Sequence, residues 1–425
     1  MTIIPEQRIY SYEDALSIAI DEAKMNNIDL KFRLMGGIKK TNKELYTFTC
    51  GANDNSRQMS FVGGGSGCFI QANVKAAYEA LEDTLTHGVF ASAKHELIYT
   101  FSTNSSPSTP YLQKCGLLPK IVFQEEYLDR GYPWLKLYDL TNKENELYYP
   151  LSLIYPYTTK IPQFNAEIDQ SDLIELSNET SISIGASYEE AMIHSINEWI
   201  ERDAYSLFLL QTIIKQQSIP AKVVLHNSLP EDLLEIVAMI ETNFNEELII
   251  VDITSDINIP AFLVSFSRQN SIVQPAGFAA SLSKHAALQQ ALLEALQYKD
   301  RYNSDAHEFR QAALRHYQER PLLVKAMQCD LLDVVRNGKY IDCSWCEIAT
   351  YPSGTLSEQL KAMVMLLQAR GFNLFYNKLY QGDSGVALVY TMITGLETFF
   401  LIKDGKFLPL KHRGKSILTQ DETCN

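Results

Sequence analysis

Three absences narrow what this sequence can encode. The 425-residue chain has no apolar run near the roughly 20 residues that a membrane-spanning helix needs, and residues 1–15 lack the basic start and apolar core of a secretory signal. Basic residues are in deficit, since 37 Lys and Arg face 51 Asp and Glu and give a net charge of −14. Phosphate contact needs Lys and Arg, so this balance argues against a general nucleic-acid binder. We therefore expect a cytoplasmic protein that binds neither membrane nor nucleic acid.

Cysteine is also scarce. The seven cysteines are odd in number and scattered, which does not indicate a disulfide framework. Cys343 and Cys346 form a single CxxC pair, but no fourth ligand stands at zinc-site spacing. Reduced structural thiols are favoured over a metal site at this pair.

The hydrophobic pattern is that of a mixed α+β protein. Helical periodicity predicts helices over 12–26, 72–86, 188–214, 284–302, 322–336 and 356–370, and strands are predicted around 45–49, 247–252 and 261–265. Strands and helices do not alternate strictly, so we expect α+β rather than a doubly wound sheet. The glycines at 63–67 are predicted as a hinge or ligand-approach loop. Residues 1–60 are assigned to an N-terminal helix and strands, and 61–425 to the core of the domain. A boundary between two lobes is placed within 100–170, where 120–123 and 147–154 resemble short strands.

Three segments repeat one helical pattern around a glutamate. The aligned glutamates are Glu79, Glu198 and Glu294. Each has an Ala seven residues before it, and a small residue lies between that Ala and the glutamate (Ala76, Ser195 or Ala291). Three residues after each glutamate stands Glu82, Glu201 or Gln297. These positions share one face of a helix. Paired carboxylates at that spacing repel each other, whereas Mg²⁺ takes oxygen ligands and would offset the cost. Gly67, Gly185 and Gly277 are predicted in turns before the helices, and helix N-termini suit phosphate. One such pair alone is typical of a solvated surface, but three indicate a shared site.

These residues resemble the motifs of the YcaO family. The family's SxxxExxER is similar to 75–83, where Lys75 replaces Ser and Asp83 replaces Arg. A Ser–Gly turn followed by Glu-Ala and ExxER is matched by Ser183, Gly185, Glu190 and 198–202, with Ala186 where Asn is frequent. The motif [ER]xxxExxQ is similar to 290–297, with Gln290 in the first position. The resemblance extends from about residue 17 to beyond 302.

The resemblance implies a fold and a site. The expected fold is the YcaO-type α+β fold, two-lobed, with mixed sheets and three related site-bearing helices. The expected cofactors are ATP and Mg²⁺, bound without a P-loop, since 64–67 lacks the GK[ST] ending. By position, the Mg²⁺ ligands would be Glu79, Glu82, Glu198 and Glu201. The nucleotide contacts would be Ser17, Ser183, Glu190, Arg202 and Gln290, with Glu294 and Gln297 completing the site. The catalytic group would be Glu198, Glu201 and Arg202.

The resemblance also implies an activity: ATP-dependent O-phosphorylation of a peptide backbone amide, giving an azoline or a thioamide in a ribosomally made peptide. A separate leader-peptide-binding or sulfur-delivery partner is expected, and a homodimer is compatible with the resemblance. Two alternatives stay open. One is a non-catalytic nucleotide-binding scaffold for a partner enzyme, because Lys75, Asp83 and Gln290 depart from the motifs. The other is an acidic α+β protein whose paired glutamates are surface features.

Overall fold

The structure is a computed structural model that describes residues 5–40, 43–92, 97–158, 168–215, 220–267, 275–301, 311–329, 331–337 and 340–419. Besides a helical stretch at 311–316, the α-helices in these ranges are α1 (Tyr12–Met25), α2 (Phe69–Ala91), α3 (Thr109–Lys114), α4 (Glu125–Asp129), α5 (Ser171–Glu175), α6 (Tyr188–Phe208), α7 (Glu231–Phe244), α8 (Lys284–Asp300), α9 (Pro321–Gln328), α10 (Leu331–Arg336), α11 (Leu356–Ala369) and α12 (His412–Thr419). The strands are β1 (Ile28–Lys40), β2 (Lys43–Asp54), β3 (Met59–Gly67), β4 (Ile98–Phe101), β5 (Tyr132–Asp139), β6 (Glu146–Pro150), β7 (Ile182–Gly185), β8 (Ala221–Val224), β9 (Leu248–Asp252), β10 (Ala261–Phe266), β11 (Ala276–Ala280), β12 (Tyr340–Cys343), β13 (Leu374–Gln381) and β14 (Ala387–Ile393).

The strands form three sheets. The first is the antiparallel meander β1-β2-β3, and the second has the order β11-β10-β9-β8-β12, in which only the β8–β12 pair is parallel among the described strands. The third has the order β4-β5-β13-β14-β7, with β6 paired to β5. Mixed sheets and helices without βαβ alternation confirm the predicted α+β class. Among the helices in the described ranges, none is both long enough and apolar enough to cross a membrane.

Most predicted elements are present, with local corrections. The helix predicted over 322–336 is two helices, because Cys329 adopts the left-handed conformation with φ of 45° and ends α9. Residues 120–123 form a 3₁₀ turn instead of a strand. The segment 100–170 contributes β5 and β6 to the third sheet, and residue 60, the predicted domain division, lies inside β3. The predicted end of α8 at residue 302 lies outside the described residues.

The glycines at 63–67 are part of strand β3, so the predicted loop was wrong. Here the backbone does approach something closely, but the partner is helix α2. A Cβ on Gly63 would lie 2.3 Å from the Ala80 amide nitrogen, and one on Gly65 would lie 2.3 Å from the Ala72 carbonyl oxygen. Gly277 likewise lies in strand β11 rather than in a turn. These glycines therefore let strand and helix backbones touch.

Three strand–helix pairs position the three predicted site-bearing helices: β3 with α2, β7 with α6 and β11 with α8. Each helix packs on its own strand and also on the strand of another pair, α2 on β7, α6 on β11 and α8 on β3. The small side chains that allow this, such as Ala76 and Ala291, are fully buried. Ser187 and Ser283 cap α6 and α8 by accepting the amide N–H three residues on. The three helices thus close a ring around one space.

Candidate functional site

The space inside this ring is a cavity of about 610 Å³. Its walls come from α2, α6, α8, β7, β11 and the segment 5–12. A cavity of this size is within the range of small-molecule and cofactor sites. Predicted site residues from all three helices line it: Glu79, Glu82, Glu190, Glu198, Glu201, Arg202, Gln290, Glu294 and Gln297.

The three aligned glutamates are oriented in the same way. Glu79 Oε2 accepts the Gly64 N–H at 2.8 Å, Glu198 Oε2 accepts the Ser181 N–H at 3.0 Å, and Glu294 Oε2 accepts the Phe278 N–H at 2.6 Å. Each donor lies in or beside the strand that precedes the helix. A hydrogen bond from a backbone amide to a carboxylate is charge-assisted and fixes the side chain. One oxygen of each carboxylate is therefore held by the strand, and the second oxygens of Glu79 and Glu198 lie 3.8 and 3.6 Å from the guanidinium nitrogens of Arg301 and Arg202.

The acidic groups are crowded and poorly solvated. Glu82 Oε2 accepts the Ile184 N–H at 2.8 Å, yet burial raises the pKa of Glu82 well above its usual range, with the nearby Asp83 and Glu198 adding to the effect. Burial likewise raises the pKa of Glu201 to about 8. The Glu79 side chain is 45% accessible and lines the cavity, and desolvation raises its pKa to about 7. A bound cation would stabilise the charged forms of all three.

Arg202 is paired with two glutamates of its own helix. Its Nη1 lies 3.3 Å from Glu201 Oε1, its Nη2 lies 3.6 Å from Glu198 Oε1, and its guanidinium lies 5.1 Å from the ring centre of Phe400. In the described part of the chain, Arg202 Nε and Glu201 Oε1 are buried without a hydrogen-bond partner. Buried polar atoms are normally satisfied, so this pair indicates that a polar ligand completes the cavity.

The carboxylates do not form a ready-made metal cage. Among the residues that the structure describes, no three His, Cys, Asp or Glu side chains are grouped to hold a metal ion. The predicted Mg²⁺ ligands Glu79, Glu82, Glu198 and Glu201 face one cavity, but three of them spend an oxygen on a backbone N–H. Mg²⁺ is usually held by one or two carboxylates together with substrate phosphates. The arrangement fits a metal ion that enters with a phosphate ligand.

Comparison with known proteins decides the family. A sequence model described as YcaO cyclodehydratase, ATP- and Mg²⁺-binding, matches residues 63–397. The chain belongs to the YcaO family. This confirms the predicted family and its cofactors, ATP and Mg²⁺. A sequence search among curated proteins gives no match.

Solved structures agree with this YcaO assignment in fold. The chain is 15% identical to YcaO from Methanopyrus kandleri bound with AMPPCP and Mg²⁺, with a TM-score of 0.65 over 97% of this chain and 99% of that one. It is 15% identical to a heterocyclase in complex with substrate and cofactor, with a TM-score of 0.61 over 92% of this chain and 53% of that one. An E. coli microcin synthetase McbBCD complex is similar at a TM-score of 0.53 and 15% identity, over 84% and 86% of the two chains.

Two predicted nucleotide contacts of this YcaO protein do not line the cavity. Ser17 is exposed to solvent on α1, where Tyr12 and Ala15 are the residues that face the cavity. Ser183 is fully buried in β7, and its hydroxyl has no hydrogen-bond partner within the described ranges. The cavity wall next to it is made by Ile184 and Gly185. The resemblance placed Ser17 on the first helix, as observed, and Ser183 in a turn, whereas Ser183 lies in strand β7. Their contacts with a nucleotide stay predictions.

The N-terminal segment is the part of the site that sequence analysis missed. Residues 5–8 line the cavity, and the Ile9 N–H donates to Glu190 Oε1 at 2.6 Å. The other oxygen of Glu190 accepts the Ala186 N–H at 3.1 Å. Arg8 faces the cavity and is one cause, after burial, of the lowering of the His194 pKa to about 4. The segment has no periodic pattern, so no sequence signal pointed to it.

Proposed function

We propose that this YcaO protein activates a peptide backbone amide by ATP-dependent O-phosphorylation. The phosphoryl group passes to the amide oxygen after a nucleophile has added to the carbonyl carbon, and phosphate then leaves with that oxygen. The product is an azoline where the nucleophile is a Cys, Ser or Thr side chain, and a thioamide where it is a sulfide. The observation that carries the proposal is the convergence of three separate helices on one cavity in which Arg202 Nε and Glu201 Oε1 are buried without a hydrogen bond from any described residue.

Each group in the cavity has a role in this reaction. Glu79, Glu82, Glu198 and Glu201 would hold Mg²⁺ together with nucleotide phosphates. When bound, the ion would neutralise part of the negative charge of the phosphates. Arg202 is oriented by the two glutamates of its own helix and by Phe400, so it neutralises charge that develops during transfer. Glu190, Gln290, Glu294 and Gln297 orient the nucleotide.

The substrate and partner are proposed from the structural relatives. One neighbour is a heterocyclase with substrate, and another is the E. coli McbBCD complex with pro-MccB17 bound, at a TM-score of 0.52. We infer a ribosomally made peptide as the substrate of this chain. We also infer a separate partner that binds the leader peptide or delivers sulfur.

A second function, a non-catalytic scaffold that binds nucleotide and supports a partner enzyme, is favoured by one observation. Lys75, Asp83 and Gln290 all depart from the family motifs, and two of them line the cavity. Release of phosphate from ATP by the purified protein with peptide and partner present separates the two functions. ATP binding without phosphate release under any pairing would support the scaffold.

Calorimetric binding of Mg²⁺·ATP tests the site itself. Glu198→Gln and Glu201→Gln keep the side-chain volume but remove a carboxylate charge, so each should weaken Mg²⁺·ATP binding by at least tenfold. Glu235→Gln is the matched control, because Glu235 pairs with Lys43 outside the cavity. Unchanged binding in both cavity variants would contradict the proposed site and favour paired glutamates without a ligand role.

A further inference from the structure

Two of the three departures from the family motifs contact each other across the cavity. Lys75 lies on α2 and Gln290 on α8, 215 residues apart in sequence, and Lys75 Nζ donates a hydrogen bond to Gln290 Oε1 at 2.5 Å. Both side chains line the cavity. The family motifs place a hydroxyl at position 75 and a charged group, Glu or Arg, at position 290. In this chain a cation stands on α2 and a neutral amide on α8, at facing positions.

The Lys75 side chain is held in place. Its Cβ packs against strand β3, where a Cβ added to Gly65 would approach it to 2.6 Å. Its hydrogen-bond partner Gln290 is neutral. Glu79 lies one turn along the same helix, but its two oxygens are directed to the Gly64 N–H and toward Arg301, at 2.8 and 3.8 Å. Lys75 therefore extends into the cavity without a carboxylate of its own helix to neutralise it.

The charge of Lys75 is consequently available to a ligand. Arg202, the other cation on the site-bearing helices that lines this space, is already engaged by Glu198 and Glu201. Burial and the neighbouring Arg8 lower the pKa of Lys75 to about 7, whereas the nearby Glu294 and Glu79 act in the opposite direction. An anion placed beside the ammonium group would stabilise its charged form. Phosphate is the anionic group that the proposed function brings into this cavity.

We propose that Lys75 is a phosphate ligand of the nucleotide, positioned by Gln290, and that it supplies from α2 the positive charge that an arginine at position 290 would supply from α8. The inference rests on the proposed function, in that the cavity binds Mg²⁺·ATP. On this inference, Lys75 compensates for the missing charge at Gln290, and the phosphate site is kept. Gln290 then acts as a positioning residue, and Lys75 contacts the ligand.

The experiment measures calorimetric affinities for Mg²⁺·ATP, Mg²⁺·ADP and adenosine. Lys75→Met should weaken ATP binding about 10- to 100-fold, the range expected for losing a hydrogen bond to a charged group. ADP should be affected less, and adenosine should change less than about twofold, because it carries no phosphate. Lys75→Arg should keep the ATP affinity within about threefold. Lys24→Met, which removes an exposed lysine paired with Asp21 on α1, is the control and should bind as the unaltered protein does.

A double variant tests the exchange directly. Lys75→Ser combined with Gln290→Arg restores the family pattern and should regain most of the ATP affinity that Lys75→Ser alone loses. Thermal unfolding checks each variant, and Lys75→Gln replaces Lys75→Met if the latter does not fold. The inference is overturned if Lys75→Met binds ATP normally, or if it weakens ATP and adenosine equally, which a structural role would produce. Absence of Mg²⁺·ATP binding by the unaltered protein would instead overturn the proposed function.

Discussion

Gly277→Ala should damage the cavity without touching a cavity-lining side chain. The added Cβ would lie 2.0 Å from the Ala291 carbonyl oxygen and 2.4 Å from the Ala295 amide nitrogen, and both atoms belong to the backbone of α8. A closest approach of 3.0 Å requires strand and helix to separate by about 1 Å. Overpacking of this kind typically costs about 1–3 kcal/mol. A 1 Å displacement of groups around a reacting centre can cost about 100-fold in rate.

The displaced helix carries Gln290, Glu294 and Gln297, so stability and ligand binding should fall together. Urea unfolding should show the loss of about 1–3 kcal/mol, and calorimetry should show at least tenfold weaker Mg²⁺·ATP binding. Gly51→Ala is the matched control, since Gly51 is also a strand glycine but has its nearest neighbour, the Lys31 carbonyl oxygen, at 4.0 Å. If Gly277→Ala unfolds and binds nucleotide as the unaltered protein does, the close contact of β11 with α8 does not set the cavity geometry.

Three further predictions concern single contacts. Ser187→Ala removes the N-cap of α6 and should cost about 1 kcal/mol in urea unfolding; an unchanged midpoint would contradict the capping role. Trp199→Phe removes the indole N–H that donates to the Thr391 carbonyl at 2.8 Å, so unfolding should require about 1–3 kcal/mol less while Mg²⁺·ATP affinity stays constant. Cys50 is fully buried, and burial raises its pKa to about 11. At pH 8 a thiol reagent should therefore label the exposed Cys346 in the native protein. Cys50 should stay unlabelled until denaturant is added.

The site-bearing helices could be predicted because their signals are local. The spacing of the small residues and the glutamates repeats within about three turns, and helix periodicity alone places them on one face. The partners of the glutamates are different, since the amide of Gly64 or Phe278 reaches a carboxylate only after a strand has folded back on the helix that follows it. The carboxylates could therefore be predicted from the sequence, whereas the backbone amides that orient them could not.

The contacts of the glycines could not be predicted from the sequence either. The glycines at 63–67 were predicted as a hinge or ligand-approach loop and Gly277 as part of a turn, whereas Gly63, Gly65 and Gly277 lie in strands where a helix backbone leaves no room for a Cβ. The sequence could not tell whether a ligand or a helix occupied the space, and it predicted a loop where the structure has a strand. The position of Ser17 relative to the cavity could not be predicted from the sequence for a related reason. Its place on α1 was correct, but the rotation of α1 about its axis depends on packing against α2, which turns Ala15 toward the cavity and leaves Ser17 exposed.

In all three strand–helix pairs the strand contacts the helix carbonyl that lies three residues before the aligned glutamate, but the second pair makes this contact in a different way. In the first and third pairs, Gly63 and Gly277 lie against the carbonyl oxygens of Ala76 and Ala291, three residues before the aligned glutamate. In the second pair, Ser181, which has a φ of 71° and whose N–H donates to Glu198, also donates its hydroxyl to the Ser195 carbonyl at 3.0 Å, again three residues before the aligned glutamate. A side-chain hydrogen bond thus reaches this position of the helix that carries Arg202, and the close backbone approach of this pair is at Gly185, where a Cβ would lie 2.5 Å from the Ala191 amide nitrogen.

The site also depends on contacts between the pairs, because no single strand–helix pair contains all of its carboxylates. Glu82 of α2 accepts the Ile184 N–H of β7, so the first pair is joined to the second by a carboxylate that also faces the cavity. The remaining junctions, α6 on β11 and α8 on β3, close the ring. Since each junction places a glutamate-bearing helix against the strand of another pair, loosening any one of them displaces carboxylates belonging to two pairs. The affinity for Mg²⁺·ATP should therefore respond to mutations at all three strand–helix contacts, including those far from Arg202 in sequence.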